Sequence, residues 1–169
     1  MAVCAFVSFR LGLTDGVSVV TGHWQRAVES MGFDTVTVAG EGPVDRTVAG
    51  LELAATNPPD LAELRAALAD ADLIVVENLC TIPLNLPAAQ AVGEICAGRP
   101  TVMHHHDPPW QRAHFAHITE LPIQDPAWRH VTINDLTRDQ FRDRGIDAIR
   151  IYNGFPAEPR PGTSPELRA

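Results

Sequence analysis

The sequence predicts an α/β domain built on a mostly parallel sheet. Two observations carry that prediction: short, nearly unbroken apolar runs, and amphipathic helical patterns lying between them. Parallel strands are covered on both faces, so they read as continuous Val/Ile/Leu stretches rather than alternating ones. Strand–helix alternation in turn implies right-handed crossovers and helices on both sides of the sheet. The 169 residues suit a single domain of ordinary size.

Each element has its own signal. Val3–Phe9 is the first apolar run; it follows no basic segment and stops at Arg10, so it reads as a strand and not as a signal peptide. Asp15–Met31 sets Val17, Val20, Trp24, Ala27, Val28 and Met31 on one helical stripe, with Gly32 closing it. Asp34–Val38 is a second strand. Gly40–Leu53 carries no helical stripe, and Thr47–Leu53 is expected to add a strand after a turn at Glu41-Gly42-Pro43. Pro58–Asp70 is a helix carrying Leu61, Leu64, Ala67 and Leu68, with proline near its start. Leu73–Glu77 and Thr101–His104 are strands flanking a helix over Ala88–Ala97. Pro108–Trp128 is irregular, with room for a short helix. His130–Asn134 is a strand, Asn134–Arg144 a helix that starts on a capping Asn-Asp pair, and Ala148–Tyr152 the last strand. The expected architecture is a Rossmann-like three-layer domain over residues 1–155. From 156 to 169 the chain is rich in proline and reads as an interdomain linker; Ser164–Ala169 then resembles a helix start, as if a further domain began there.

Composition excludes several functions. All 13 basic residues are Arg, which removes every chemistry that needs a lysine: the P-loop, the kinase lysine and the Schiff base. The formal net charge of −8, without an Arg cluster, argues against nucleic acid and against an anionic membrane surface. No apolar run nears the ~18 residues of a membrane span. Cys4, Cys80 and Cys96 are scattered without metal-type spacing and read as small core residues of a cytoplasmic protein.

In open parallel sheets ligands bind beyond the carboxyl ends of the strands. Polar residues collect there in this chain. The first strand is followed by Arg10, Asp15, Gly16, Val17 and Ser18, leading into a helix start that can face an anionic group. The third is followed by Glu77 and Asn78, able to bond a polyol. The fourth runs into His104-His105-His106-Asp107, where one or two imidazoles facing a cleft could hold sugar hydroxyls and Asp107 could orient one of them. Asn134 and Asn153 follow the last two strands. Each residue also has a plain structural reading: Asp15 or Ser18 as a cap, Glu77-Asn78 as a cap for the next helix, Asn153-Gly154 as a turn. Trp110 offers either a flat face to a sugar ring or simple packing.

Five of the seven histidines fall between His104 and His117, which invites a metal site. Neighbours in a strand point to opposite faces, so three in a row do not converge easily on one ion, and no HExxH pattern supports it. A metal-dependent hydrolase is therefore a minor alternative. Glu158 and Glu166, eight apart in the proline-rich stretch, are read as chance.

Taken in order, these loops resemble the N-terminal half of a GT-B glycosyltransferase, closest to the retaining family-4 type. Four places carry the likeness: Arg10 through Ser18; Pro100-Thr101-Val102-Met103-His104-His105-His106-Asp107, in which His106 matches the active-site histidine best; Val131-Thr132-Ile133-Asn134 with Arg144-Gly145-Ile146; and Ile151-Tyr152-Asn153-Gly154-Phe155. The resemblance covers residues 1 to about 156. It implies transfer of a sugar from a nucleotide-sugar with retention, catalysis through His106, and no metal. It further implies that this half binds the acceptor (a small molecule or a glycan) through Arg10, Asp15, Gly16, Val17, Ser18, Glu77, Asn78, His105, Asp107, Asn134 and Asn153. The nucleotide-sugar would be held by a C-terminal domain that these residues do not contain, so no cofactor is expected on this chain and the chain alone is expected to be inactive. The small pair at the first loop is Asp15-Gly16 where the family pattern has two glycines. Alternatives from other classes are a non-catalytic small-molecule-binding module or partner subunit, and half of a sugar-nucleotide epimerase.

Overall fold

The structure is a computed structural model, and it describes residues 1–154. The strands are β1 (Ala2–Arg10), β2 (Phe33–Glu41), β3 (Arg46–Thr47), β4 (Leu73–Glu77), β5 (Thr101–His105), β6 (Trp128–Thr132) and β7 (Ala148–Arg150). The helices are α1 (Gly16–Ser30), α2 (Leu61–Ala67), α3 (Leu86–Cys96) and α4 (Asp135–Arg142), with a 3-10 turn at Pro109–Gln111. All seven strands are parallel, in the order β3-β2-β1-β4-β5-β6-β7. The chain works outward from β1 to β3, then returns to β4 on the other side of β1. That reversal is the topological switch point, where the strand ends part and leave a crevice.

The helices start where short polar side chains can take up their free N–H groups. Asp15 accepts from Val17 and Ser18, Asp60 from Ala62 and Glu63, Asn85 from Ala88, and Asn134 from Thr137. The strands sort their side chains by parity. Cys4, Phe6 and Val75 face α1, where Val28 is buried and Val17 and Trp24 pack partly buried. Ala5, Val7, Ile74, Val76 and Met103 face the layer of α2 and α3, with Leu64, Ala89, Val92 and Ile95. Phe6 is fully buried, and burying such a ring is worth about 1.5–3 kcal/mol. The α1 stripe is narrower than its sequence pattern, since Ala27 and Met31 are exposed. The three cysteines are buried free thiols, and burial pushes Cys4 up to about 12 and Cys96 to about 11, which leaves both un-ionised and inert.

The strand expected over Thr47–Leu53 is only the two-residue β3. Gly50 sits at a φ of +90°, where a Cβ would lie 2.4 Å from the Pro59 nitrogen. No extended strand passes through that point. The segment instead loops inward, burying Val48 and Leu51, while Asn85 Nδ2 donates to the Gly50 and Glu52 carbonyls. β6 begins two residues earlier than its apolar run suggests, because Trp128 is a core residue whose indole donates to the Cys96 carbonyl. Among the described residues no helix is long and apolar enough to cross a membrane. Residues 156–169, read above as a linker and helix start, lie outside the described residues.

Candidate functional site

Parallel register delivers the polar strand ends to one edge. Glu77 ends β4 directly opposite His104 of β5, and β1 runs on beside them to Arg10. A cavity of about 520 Å³ opens there, lined by Arg10, Asp15, Gly16, Val17, Val19, Val20, His106, Asp107, Asn153 and Gly154. A smaller hollow of about 140 Å³ shares Arg10, Asp15, Val17 and Asp107 with it and adds Ser8 and Asn78. Another hollow of about 370 Å³, around Trp128, Arg129 and Asp147, gathers none of these strand-end groups.

Asp15 caps α1 and accepts from Ser18 through both backbone and hydroxyl, with the Arg10 guanidinium 3.6 Å away. Burial raises its carboxyl, but those hydrogen bonds and Arg10 outweigh burial and hold it below the usual range. The helix start expected to face an anion therefore already carries a carboxylate, and its Val17 and Ser18 N–H groups are occupied. Ser18 is buried behind that cap. Gly16 is the open point of the loop: a Cβ there would meet nothing within 4 Å.

Glu77 is fully buried. Its Oε2 lies 2.9 Å from His104 Nδ1 and 3.2 Å from His106 Nε2, so both imidazoles donate to one oxygen. Burial drives this carboxyl up, yet the two hydrogen bonds and the nearby imidazoles prevail and keep it below the ordinary range. It is a partner of histidines and not an open polyol contact. His104 lies under Trp24, ring centroids 4.5 Å apart, and His106 sits a further 4.5 Å on at the cavity wall.

His105 points the other way. It is wholly buried, bonded to Thr81 Oγ1 at 2.6 Å and to His130 Nδ1 at 2.8 Å. It does not reach the cavity, because one residue along a strand reverses the face. Burial pushes His105 well below its ordinary range, and His130 down to about 4.

Asn78 lines the smaller hollow and is not the cap of α3, which Asn85 provides. At a φ of +59° its Oδ1 accepts from the backbone N–H of His106 and Asp107, and its Nδ2 donates to the Asp107 carboxylate. Asp107 also pairs with Arg112 and orients no histidine. Asn134 is the α4 cap and lines neither hollow. Asn153 does line the larger cavity, and its Oδ1 is buried without a donor among the described residues. Trp110 is packing: its indole donates to Gln140, its edge meets Phe141 and Arg144 lies over its ring.

The sequence reading collected His104 with the strand-end residues and set Trp24 on the α1 stripe, but missed that the two stack behind His106 and that His104 shares Glu77 with it. Parity was the available signal, since His104 and His106 stand two apart and share a face.

No family model and no solved structure matches the chain. Two curated relatives do. Mannosylglucosylglycerate synthase of Petrotoga mobilis is 25% identical, over 88% of this chain and 44% of the relative. The protein of the same name from Thermotoga maritima is 28% identical over the same shares. The chain thus spans less than half the length of the curated relatives it matches.

Proposed function

We propose that the chain is the N-terminal, acceptor-binding half of a retaining GT-B glycosyltransferase, whose other half holds a nucleotide-sugar. The carrying observation is the cavity at the switch point, which brings His106, Arg10, Asp15, Gly16 and Asn153 together at the strand ends. The names of the two relatives, and the length they have beyond the match, support the same reading. Those names describe a compound of mannose, glucose and glycerate, so the acceptor we infer is a polyhydroxylated acid of the glucosylglycerate kind. Asn153 Oδ1 can accept one of its hydroxyls, and Arg10, 41% exposed, can reach its carboxylate.

In such a transfer the bond from the anomeric carbon to the diphosphate breaks as the acceptor oxygen bonds on the same face, and the acceptor proton leaves with the diphosphate. Positive charge develops at the sugar. Glu77 fixes the His106 ring through Nε2, which leaves Nδ1 to bond a hydroxyl and steady that charge. Closure of the second half over the open cavity would exclude water from the activated sugar.

The test is transfer by a longer protein carrying this chain and a donor half, supplied with glucosylglycerate and a panel of nucleotide-sugars. Acceptor-dependent release of a nucleoside diphosphate is expected, with none from the 169 residues alone. His106→Ala should lower kcat about 100-fold or more while the unfolding transition stays cooperative. No transfer from any donor would overturn the reading; near-full activity in the variant would remove His106 from it.

A further inference from the structure

We propose that Glu77, His104 and His106 form a binding site for a zinc-type divalent cation beside the strand-end cavity. Among the described residues this is the one group of three His, Cys, Asp or Glu side chains whose ligand atoms all lie within 4.8 Å of one another.

Charge is the first reason. Glu77 is a wholly buried carboxylate, and no Arg pairs with it among the described residues. Arg10 lies beside Asp15 and Arg112 pairs with Asp107, neither with Glu77, and the chain has no Lys. A buried charge without a fixed counterion is costly. His104 and His106 give it hydrogen bonds, and a divalent cation would add a fixed counterion, its remaining positive charge facing the open cavity.

Geometry is the second. Two ligands held about 2.0–2.1 Å from a tetrahedral zinc stand roughly 3.3 Å apart. Glu77 Oε2 is 2.9 Å from His104 Nδ1 and 3.2 Å from His106 Nε2, so each of these two pairs needs to spread only by tenths of an ångström, and the two histidines offer nitrogens within 4.8 Å of each other. Two histidines and one glutamate are also a donor set zinc uses in sites that keep a fourth position open. Here that position would face the cavity, which His106 lines and through which an ion can enter.

The third reason is an unsatisfied atom. Glu77 Oε1 is buried with no donor among the described residues. Such an atom calls for an explanation, and a cation that the carboxylate can grip through both oxygens supplies one. Against this stands one cost. With Nδ1 on the ion, His104 carries its proton on Nε2, which has no acceptor either. That atom is unpaired among the described residues with or without the ion, so binding adds no further unmade bond there.

The ion would change what the cavity meets. Without it, His106 donates from Nε2 to Glu77 and its Nδ1 is an acceptor when the ring is neutral. With the ion on Nε2, the proton moves to Nδ1 and His106 becomes a donor.

Metal-free 169-residue chain, made without a histidine tag, is titrated with Zn²⁺ by calorimetry and with Co²⁺ by visible absorption. One ion per chain, with submillimolar affinity and the bands of tetrahedral Co²⁺, is expected. Glu77→Gln and His106→Ala should each weaken binding about 100-fold, and the double variant His114→Ala/His117→Ala should leave it unchanged. Should Glu77→Gln fail to fold, His106→Ala decides. Affinity no better than millimolar, binding indifferent to His106→Ala, or binding lost in the His114/His117 variant would each overturn the site. None of these readouts involves sugar transfer, so the ion can fail while the transfer reading stands, and the reverse.

Discussion

His104, His105 and His106 are chemically identical neighbours that the sheet sorts into two unlike environments. On the α1 face, His104 and His106 share a buried carboxylate, and His106 borders the cavity. On the opposite face, His105 is locked between Thr81 and His130 against Phe141, with no carboxylate among those partners. A neutral chain satisfies that second face: Thr81 donates to His105 Nδ1, and His105 Nε2 donates to His130 Nδ1. An added proton has no acceptor there. The same residue type is thus a charged-site component at even positions and an uncharged spacer between them, decided by pleat alone.

The sharpest way to break the contrast is Glu77→Leu. It strips the α1 face of its acceptor and leaves two imidazole N–H groups buried without partners. A stability loss of about 3–5 kcal/mol is expected in urea denaturation; a loss below ~1 kcal/mol would mean the two faces do not differ as described.

Acid separates the faces next. His130 titrates at about 4 in the fold against 6.5 when unfolded. Its folded value is depressed, so full stability holds above ~6.5 and falls as the unfolded chain takes up protons that the fold refuses. The loss should reach about 2–3 kcal/mol near pH 4. Glu77, held low by its histidines, adds a loss of the same sign further into acid as the folded carboxyl protonates. Burial depresses His105 in the same way, so stability curves of His130→Phe should lose only the His130 share of the first limb and keep the second.

The smallest effect belongs to Trp110→Phe, behind Phe141 on the His105 side. Loss of the indole bond to Gln140 should cost about 0.5–1.5 kcal/mol and leave the cavity untouched, as chemical shifts of Gly16 and Asn153 would report.

Most of the fold was legible because its signals are local. Apolar runs mark strands, and Asp15, Asn134 and the glycines after helices mark ends. The Thr47–Leu53 error arose from a packing fact, the closeness of Gly50 to Pro59, that no window of sequence contains. The site was legible by place and not by role. Strand-end logic found the edge where His106, Asp15, Gly16 and Asn153 meet. It could not say that Glu77 would turn from the cavity to the histidines, because that depends on β4 pairing with β5 in one register. Asn134 was read twice, as a cap and as a contact, and local geometry shows only the cap.

Asn78 imposes a narrow choice of alphabet. Its left-handed backbone tolerates few side chains, and its amide must offer one carbonyl to two main-chain donors and one amino group to Asp107. Glycine would ease the torsion and surrender the amide. Aspartate would keep the acceptor but set two carboxylates face to face. The loop that presents His106 therefore hangs on a peg whose torsion and three hydrogen bonds together suit asparagine.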